Sequence, residues 1–436
     1  MRTSTYVQHS CTVHEHRIDV PLDHFRAPGP DNPTIEVFAR EIIRRGGEDL
    51  PRLVFLQGGP GGKGPRQGDF RDGWIGKALE DFRVILLDQR GTGQSTRMDA
   101  QALADLPSDE ARADRLMLFR QDQIVADAEA LREELGVAKW TTLGQSYGGF
   151  LTLAYLSTAP ESIEASLITG GLPGLVHVDD IYRCTYATTA ARNRFYFERH
   201  PDDERTVREI AAHLRGTEEH LPTGERLSTE RFRMIGMGLG MQTRTDLLHY
   251  LLEGPWTTVR GERRLNAEFL ESVAAEVAMA PMYGVLQEAI YACATPVLAG
   301  TATAWSADRL AEEIPGFAKD ADPLDLSEPY YLTGEHMMRR IFDEDPGLAP
   351  LAATTDLLAA RTDWNAVYDP ERLAENTVPV AAAVYYDDMF VPRELSLATA
   401  EAVRGTRTWV TNEYQHDGVR ASSGRVFSHL LELVRD

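Results

Sequence analysis

Cysteine is scarce in this sequence. Among 436 residues there are only three cysteines, Cys11, Cys184 and Cys293. They are odd in number, far apart along the chain, and without the C-x-x-C spacing of zinc and redox sites. We therefore expect neither a disulfide scaffold nor a bound metal.

Basic residues are outnumbered, and long apolar runs are missing. The chain has 45 Lys and Arg against 67 Asp and Glu, a formal net charge of -22. Nucleic acids and anionic membranes need local positive charge on a partner, so neither is expected to bind. No apolar run reaches the about 18 residues of a membrane span, and the N-terminal stretch lacks the apolar segment of a signal peptide. We expect a cytoplasmic, enzyme-sized protein.

The first part of the chain has the pattern of a sheet. Residues 16–45 alternate apolar and polar side chains, which predicts opening antiparallel strands. The apolar runs 52–57 and 83–88 each end in a glycine-rich turn, as buried parallel strands do. Helical spacing over 121–136 precedes a third run, "KWTTLGQ". This order predicts a parallel βαβ arrangement.

The middle of the chain changes character. Residues 172–345 show mainly helical periodicity, and strand patterns return at 378–388 and 406–413. We predict an α/β core built from residues 1–171 and 346–436, interrupted by a helical insertion over 172–345. At this length, one ordinary core does not accommodate the whole chain.

Ser146 lies between two closely spaced glycines. Gly144 to Gly148 read G-Q-S-Y-G, which matches the G-x-S-x-G turn of a nucleophilic serine. The pentapeptide alone also fits a plain turn. A β-rich "WTTL" before it and the small residues of "GGFLTLAYLSTAP" after it favour a strand-to-helix turn. The context therefore predicts that Ser146 is a nucleophile.

A serine nucleophile needs a histidine and a carboxylate as partners. In this arrangement they follow later strands, the acid before the histidine. His416 follows the last predicted strand in a polar loop, and Asp387 and Asp388 end the strand before it. The pattern predicts His416 as the base and leaves the two aspartates as alternatives for the acid.

The oxyanion of acyl transfer needs fixed N–H donors. The loop "LQGGPGG" follows the first predicted parallel strand, and we assign the donors to Gly59 and Tyr147. A phosphate-binding loop is the competing interpretation of these glycines. It requires glycine and a hydroxyl residue where this chain has Gln57 and Gly64, so it is rejected.

Five motifs together resemble one family. "LQGGPGG", "LLDQRGTGQS", "GQSYGGF", "YYDDMFVP" and "YQHDGVR" are similar to those of the proline iminopeptidase family of α/β-hydrolases, in its longer bacterial form. The resemblance implies a mostly parallel sheet flanked by helices, with an inserted helical cap. It also implies a serine exopeptidase that releases an N-terminal residue, typically proline, through an acyl-enzyme and without a cofactor. The family's D-x-x-x-P spacing favours Asp388 as the acid.

The resemblance extends to two glutamates of the cap. In the family, cap glutamates recognise the free amine of the substrate, and the matching positions here are Glu288 and Glu335. There are two departures. Gln57 replaces the usual histidine before the oxyanion glycines, and "QEAIYACATPVLAG" is more apolar than its counterparts. Both departures concern substrate preference more than chemistry.

The sequence therefore predicts an enzyme acting on small peptides with a free N-terminal amine. One alternative is an esterase or amidase on the same core that takes small uncharged acyl substrates. Another is a non-catalytic binding protein that keeps the pocket. Neither the preferred N-terminal residue nor the oligomeric state follows from the sequence.

Overall fold

A nine-stranded sheet forms the centre of the molecule. The computed structural model describes all residues, 1–436. The strands of this sheet are β1 (Arg2–Gln8), β2 (Cys11–Pro21), β3 (Thr34–Arg44), β4 (Arg52–Leu56), β5 (Arg83–Asp88), β6 (Trp140–Gln145), β7 (Ile163–Thr169), β10 (Val380–Tyr385) and β11 (Thr406–Thr411), and a separate hairpin holds β8 (Trp256–Val259) and β9 (Glu262–Leu265). The order in the sheet is β1-β2-β3-β5-β4-β6-β7-β10-β11.

The sheet is antiparallel at one end and parallel over the rest. Strands β1, β2 and β3 pair antiparallel, as does β3 with β5. Every pairing from β5 to β11 is parallel. The predicted opening strands and buried parallel strands are confirmed. Because parallel strands end on the same side, the loops after β4, β6, β7, β10 and β11 gather at one edge of the sheet.

Helices connect and cover these strands. They are α1 (Gly73–Asp81), α2 (Ala100–Ala104), α3 (Asp109–Met117), α4 (Gln121–Glu134), α5 (Tyr147–Thr158), α6 (Val178–Arg199), α7 (Pro201–Gly216), α8 (Thr229–Arg233), α9 (Gln242–Leu252), α10 (Ala267–Val277), α11 (Pro281–Leu286), α12 (Ser306–Ala311), α13 (Ile341–Glu344), α14 (Ala352–Ala360), α15 (Pro370–Ala374), α16 (Arg393–Ala402), α17 (Gly418–Ala421) and α18 (Arg425–Arg435).

Alternate residues of the parallel strands enter two hydrophobic cores. Leu53 and Phe55 of β4 pack with residues of α1 and α18 on one face. Val54 and Leu56 enter the larger core on the other face, which includes residues of α4 and α5. Each strand is thus apolar on both faces, which is why these runs read as continuous hydrophobic stretches.

The region between β7 and β10 is mostly helical. It contains α6 to α15 and the β8–β9 hairpin, and it adds no strand to the main sheet. Helix α14 lies beyond residue 345 and packs against α3, where the Thr354 hydroxyl donates to Asp109 at 2.7 Å. The division of the chain at residues 171 and 345 stays a prediction.

No single helix has both the length and the apolar character to cross a membrane. A bent pair, Ala267–Val277 with Pro281–Tyr291 at 49°, meets the length and composition test only when its two members are taken together.

Candidate active site

Ser146 occupies a tight turn between β6 and α5. Strand β6 ends at Gln145 and α5 begins at Tyr147. Ser146 has φ 56° and ψ −125°, a conformation that side-chain-bearing residues rarely adopt and that accumulates at functional sites. Its N–H donates to the carbonyl of Thr169 at 3.0 Å, and its own carbonyl accepts from Gly149 at 2.7 Å. The predicted strand–turn–helix is therefore present around Ser146.

Glycines allow this turn to pack against its neighbours. A Cβ on Gly148 would lie 1.8 Å from the carbonyl oxygen of Leu56, and one on Gly144 would lie 2.3 Å from the carbonyl oxygen of Gly148. Any larger residue would push α5 away from β4 and β6. The loop after β4 also packs against the turn, because a Cβ on Gly58 would lie 3.0 Å from Cβ of Ser146.

His416 and Asp388 form a buried pair at the same edge of the sheet. Asp388 follows β10, His416 follows β11, and His416 Nδ1 lies 2.8 Å from Asp388 Oδ2. The other carboxylate oxygen of Asp388 accepts N–H groups from Phe390 at 2.9 Å and Val391 at 3.0 Å. Asp387 is exposed and makes no hydrogen bond or ion pair. Of the two aspartates that the sequence left as alternatives, the structure places Asp388 against His416.

Gly170 joins the serine turn to this pair, and the sequence analysis did not identify it. It follows β7, which lies between β6 and β10, and its φ is +52°. A Cβ there would lie 3.1 Å from His416 Nδ1 and 3.2 Å from Asp388 Oδ2. The "TGG" of residues 169–171, which ends a short apolar stretch, was the available signal. No hydrogen bond joins Ser146 to His416, a contact that often tightens only in the substrate complex.

The charge state of His416 is set by opposing effects. Burial lowers its pKa, the neighbouring charges of Asp388 and Glu335 raise it, and the net result is a pKa above the usual value. Both acids therefore stabilise an imidazolium at this position. That is the form a histidine takes after it accepts a proton from serine.

Gly59 and Tyr147 belong to two segments that adjoin Ser146. Tyr147 is the first residue of α5, so its N–H belongs to the unpaired group at a helix N-terminus, where the helix dipole favours negative charge. Gly59 is the residue after Gly58, which packs against Ser146, and its φ is +132°. The N–H of Gly59 has no acceptor within the protein. The same loop contacts the cap, because a Cβ on Gly61 would lie 2.8 Å from Cβ of Met282.

Glu335 lies in the inserted helical region and faces the edge of the sheet that carries His416 and Asp388. It accepts a hydrogen bond from the hydroxyl of Tyr283, and burial raises its pKa to about 7. His416 and Asp388 are among the charges that act on it, so the three groups are close neighbours. Beside Glu335 lies the buried side chain of Gln287, whose amide acts to lower the pKa of Glu335 against the larger effect of burial. Sequence reasoning did not identify Gln287.

Glu288 points to a different part of the cap. Its Oε1 accepts from the N–H of Ala307 at 3.2 Å, at the start of α12, and its Oε2 has no partner. It borders a small cavity with Trp305 and Trp364, and burial raises its pKa to about 7. The structure brings Glu335, but not Glu288, to the His416–Asp388 pair.

Tyrosines surround the two glutamates and were also missed by the sequence analysis. Burial raises the pKa of Tyr182, and Glu288 and Glu335 both add to that effect, so Tyr182 lies within range of each. Its ring packs edge-on against Tyr291, with centroids 5.8 Å apart. The part of the inserted helical region around Glu288 and Glu335 is thus aromatic as well as acidic.

One group of potential metal ligands is present, away from these residues. His200, Asp203 and His249 offer ligand atoms within 4.8 Å of one another. Asp203 already accepts hydrogen bonds from Tyr196 and contacts His249 at 2.9 Å. None of these residues was predicted as part of the site.

Comparison with known proteins gives one family model and two relatives that match nearly the whole chain. The family model, described as "alpha/beta hydrolase fold", matches residues 51–232. A proline iminopeptidase from Aeromonas sobria is 39% identical over 437 residues, covering 99% of this chain and 98% of that protein. Proline iminopeptidase aneH from Aspergillus aculeatus is 32% identical over 440 residues, covering 98% and 94%. The solved structure of an esterase from Exiguobacterium antarcticum aligns with TM-score 0.41 and 12% identity, over 92% of this chain and 97% of that one.

Proposed function

The chain belongs to the proline iminopeptidase family of α/β-hydrolases, and from this premise we infer that it is a serine aminopeptidase that releases N-terminal proline from peptides. The resemblance noted in the sequence is confirmed, because the shared identity extends from end to end of the chain. The geometric observation that carries the proposal furthest is the Asp388–His416 hydrogen bond beside the Ser146 turn.

We propose that Ser146, His416 and Asp388 form the catalytic triad. His416 accepts the Ser146 proton as the serine oxygen attacks the first carbonyl carbon of the peptide. Asp388 holds the imidazole through Nδ1 and stabilises its charged form. Since both oxygens of Asp388 are already engaged, its carboxylate has a fixed orientation.

The N–H groups of Gly59 and Tyr147 are proposed to hold the oxyanion of the tetrahedral intermediate. When this intermediate collapses, the C–N bond breaks and His416 gives its proton to the leaving amine. The N-terminal residue is left as an ester on Ser146. Water then attacks that ester, losing a proton to His416, and the free amino acid leaves as the serine hydroxyl is restored.

Selection of the N-terminal residue is assigned to the cap. We propose that Glu335 pairs with the substrate ammonium, which its position beside His416 supports. A carboxylate in an enclosed site is destabilised when unpaired, and an ammonium group removes that cost. Glu288 is proposed as a second carboxylate for the ammonium group, because its charge, like that of Glu335, acts on Tyr182. The aromatic rings of Tyr182 and Tyr291 offer an apolar surface for a proline ring.

Two rival functions make different demands on these residues. An esterase or amidase for uncharged acyl groups would use the same triad but has no need of an acid such as Glu335 beside it. A binding protein would need neither the strained Ser146 nor an oriented imidazole. The acidic cap supports the aminopeptidase.

A location in the cytoplasm is also proposed. The three cysteines are unpaired, and two of them are buried. Free thiols persist in a reducing compartment, which supports this assignment.

Active-site labelling tests the proposed chemistry directly. A serine-directed aryl phosphonate should form a single adduct on Ser146, identified by peptide mass spectrometry, and activity should fall in step with labelling. Heat-denatured protein serves as the control, because its imidazole is no longer oriented. An adduct elsewhere, or full activity in the labelled protein, would contradict the triad.

A further inference from the structure

A second concave site lies between the first helix of the cap and the loop that carries Asp388. It is a groove of about 430 Å³, within the size range of small-molecule sites, roughly 300 to 1,000 Å³. None of the proposed catalytic residues lines it. The residues that matter for its chemistry are Arg192, Phe195, Tyr386, Asp387, Arg393 and Glu394. A larger groove of about 540 Å³ around Trp305 and Arg339 also lacks the triad, and ion pairs between its lining residues occupy Arg339 with Asp343 and Arg340 with Glu230.

Arg192 is a buried cation without a counter-ion. It is only 8% exposed, and its Nε donates to the carbonyl of Leu239 at 3.0 Å. Its two terminal nitrogens have no acceptor in the protein, and no acidic group lies within 4.0 Å of them. They are not sealed inside the fold either, so they open on the groove. A desolvated guanidinium in this state favours an anionic ligand, and its planar donors suit a carboxylate.

Asp387 is the matching free anion. It is exposed, forms no hydrogen bond or ion pair, and is the acidic group whose charge acts on Arg192. The other two charged residues of the groove, Arg393 and Glu394, form an ion pair with each other. The guanidinium carbon of Arg393 lies 3.8 Å from the centre of the Tyr386 ring. The groove therefore presents one unpaired positive group and one unpaired negative group that do not touch.

Aromatic rings flank these two charges. Phe195 and Tyr386 are each 53% exposed, although large apolar side chains normally lie inside a fold. The Arg192 guanidinium carbon lies 5.2 Å from the centre of the Phe195 ring. The rings supply apolar contact area beside the separate charges of Arg192 and Asp387.

We propose that this groove binds a free α-amino acid as its zwitterion. The carboxylate lies on Arg192, the ammonium group on Asp387, and the side chain against Phe195 and Tyr386. Free amino acids are the class of product that an aminopeptidase releases, but binding at this groove requires no catalytic step. The inference rests on the groove alone.

Calorimetric titration of L-proline tests this proposal. The protein is first labelled at Ser146 with the phosphonate, so that the catalytic pocket is occupied. Labelled wild type should bind one L-proline, and N-acetyl-L-proline and L-prolinamide, which each lack one charge, should bind at least about tenfold more weakly.

Variants locate the site. Arg192→Gln and Asp387→Asn should each weaken L-proline binding by about tenfold or more, the usual effect of losing one charged contact. Arg194→Gln, an exposed neighbour on the same helix, is the matched control and should bind as wild type does. Asp387 has no structural partner, so a loss of binding in its variant does not arise from misfolding.

Two results would overturn the proposal: absence of L-proline binding to labelled wild type, or equal affinities in wild type and both groove variants. If the phosphonate fails to label Ser146, that failure concerns the triad. The comparison of variants is then made on unlabelled protein, where unchanged affinity and stoichiometry in both would still refute the groove.

Discussion

At the scale of single residues, we propose that Ser146 carries the chemistry. Its replacement by alanine removes the attacking oxygen and leaves the turn intact, since alanine is no larger than serine. We predict that Ser146→Ala lowers kcat by a factor of about 10⁶, as with other knockouts of a serine nucleophile. Thermal unfolding should occur within a few degrees of wild type. Turnover at a rate near that of wild type would rule out Ser146 as the nucleophile.

The two adjacent aspartates form a natural matched pair. Asp388→Asn should lower kcat by about 10⁴, because an amide cannot stabilise the imidazolium and favours the wrong histidine tautomer. Asp387→Asn should leave kcat near wild type, since its side chain is exposed and unpartnered. Steady-state assays of both variants on one prolyl amide decide the matter. If Asp387→Asn loses activity and Asp388→Asn does not, the acid of the triad is Asp387.

Glu288 should make the folded state sensitive to pH. Burial raises its pKa from 4.5 to about 7, so folding favours the protonated acid. The stability of the protein is therefore unaffected by Glu288 below about pH 4.5 and falls as pH rises towards 7. Glu288→Gln removes this penalty and should raise the free energy of unfolding at pH 8 by up to about 3 kcal/mol. Urea unfolding at pH 5 and pH 8 checks the prediction. A variant less stable than wild type at pH 8 would contradict it.

Some of these residue-level features were accessible from the sequence, and others were not. The positions of Ser146 and His416 can be predicted from motif and strand order. Parallel strands end at the same edge of the sheet, so the loops that follow them lie together. Asp387 and Asp388 differ by one residue, and only the backbone after β10 determines which one turns inward. The orientations of Glu288 and Glu335 depend on contacts with α12 and Tyr283, which lie far away in sequence.

At the scale of elements, the glycines of the Ser146 turn set how closely α5 approaches β4. Gly148→Ala would place a methyl group 1.8 Å from the Leu56 carbonyl, so the helix must move. We predict destabilisation by about 1 to 3 kcal/mol or more, together with a large loss of activity. Gly216→Ala is the control, because nothing lies within 4 Å of its Cβ position at the end of α7. Equal stabilities of the two variants in urea would refute the close packing.

Elements with strong periodicity were predicted well. Helix α4 and the buried strands β4, β5 and β6 match the sequence patterns closely. Strand β1 was missed, because all but one of its residues are exposed and it lacks an apolar alternation. The β8–β9 hairpin was missed for the same reason, since three of the four residues of β8 are exposed. A strand that buries little surface leaves little trace in hydrophobic patterning.

At the scale of the whole molecule, cap and core meet around the acid loop. A Cβ on Gly240 would lie 2.3 Å from the Phe390 ring, and one on Gly334 would lie 2.5 Å from Met389. Gln121, at the start of α4, donates to the carbonyl of Ile290 in the cap at 2.7 Å. The cap therefore rests on the residues next to Asp388, and Glu335 is held beside His416 by this contact.

We propose that the core supplies acyl transfer and that the cap restricts it to substrates with a free amine. Glu335→Gln keeps the shape of the side chain and removes its charge. The most direct measurement is kcat/KM of wild type and Glu335→Gln on two substrates, a prolyl aryl amide with a free amine and a small activated ester without one.

We predict that kcat/KM of the variant falls about ten- to hundredfold on the prolyl amide, the usual range for a charge-assisted contact, and changes little on the ester. We also expect the acid limb of the ester pH profile to move to lower pH, because the charge of Glu335 raises the pKa of His416. Equal losses on both substrates, or no loss on the prolyl amide, would contradict the claim.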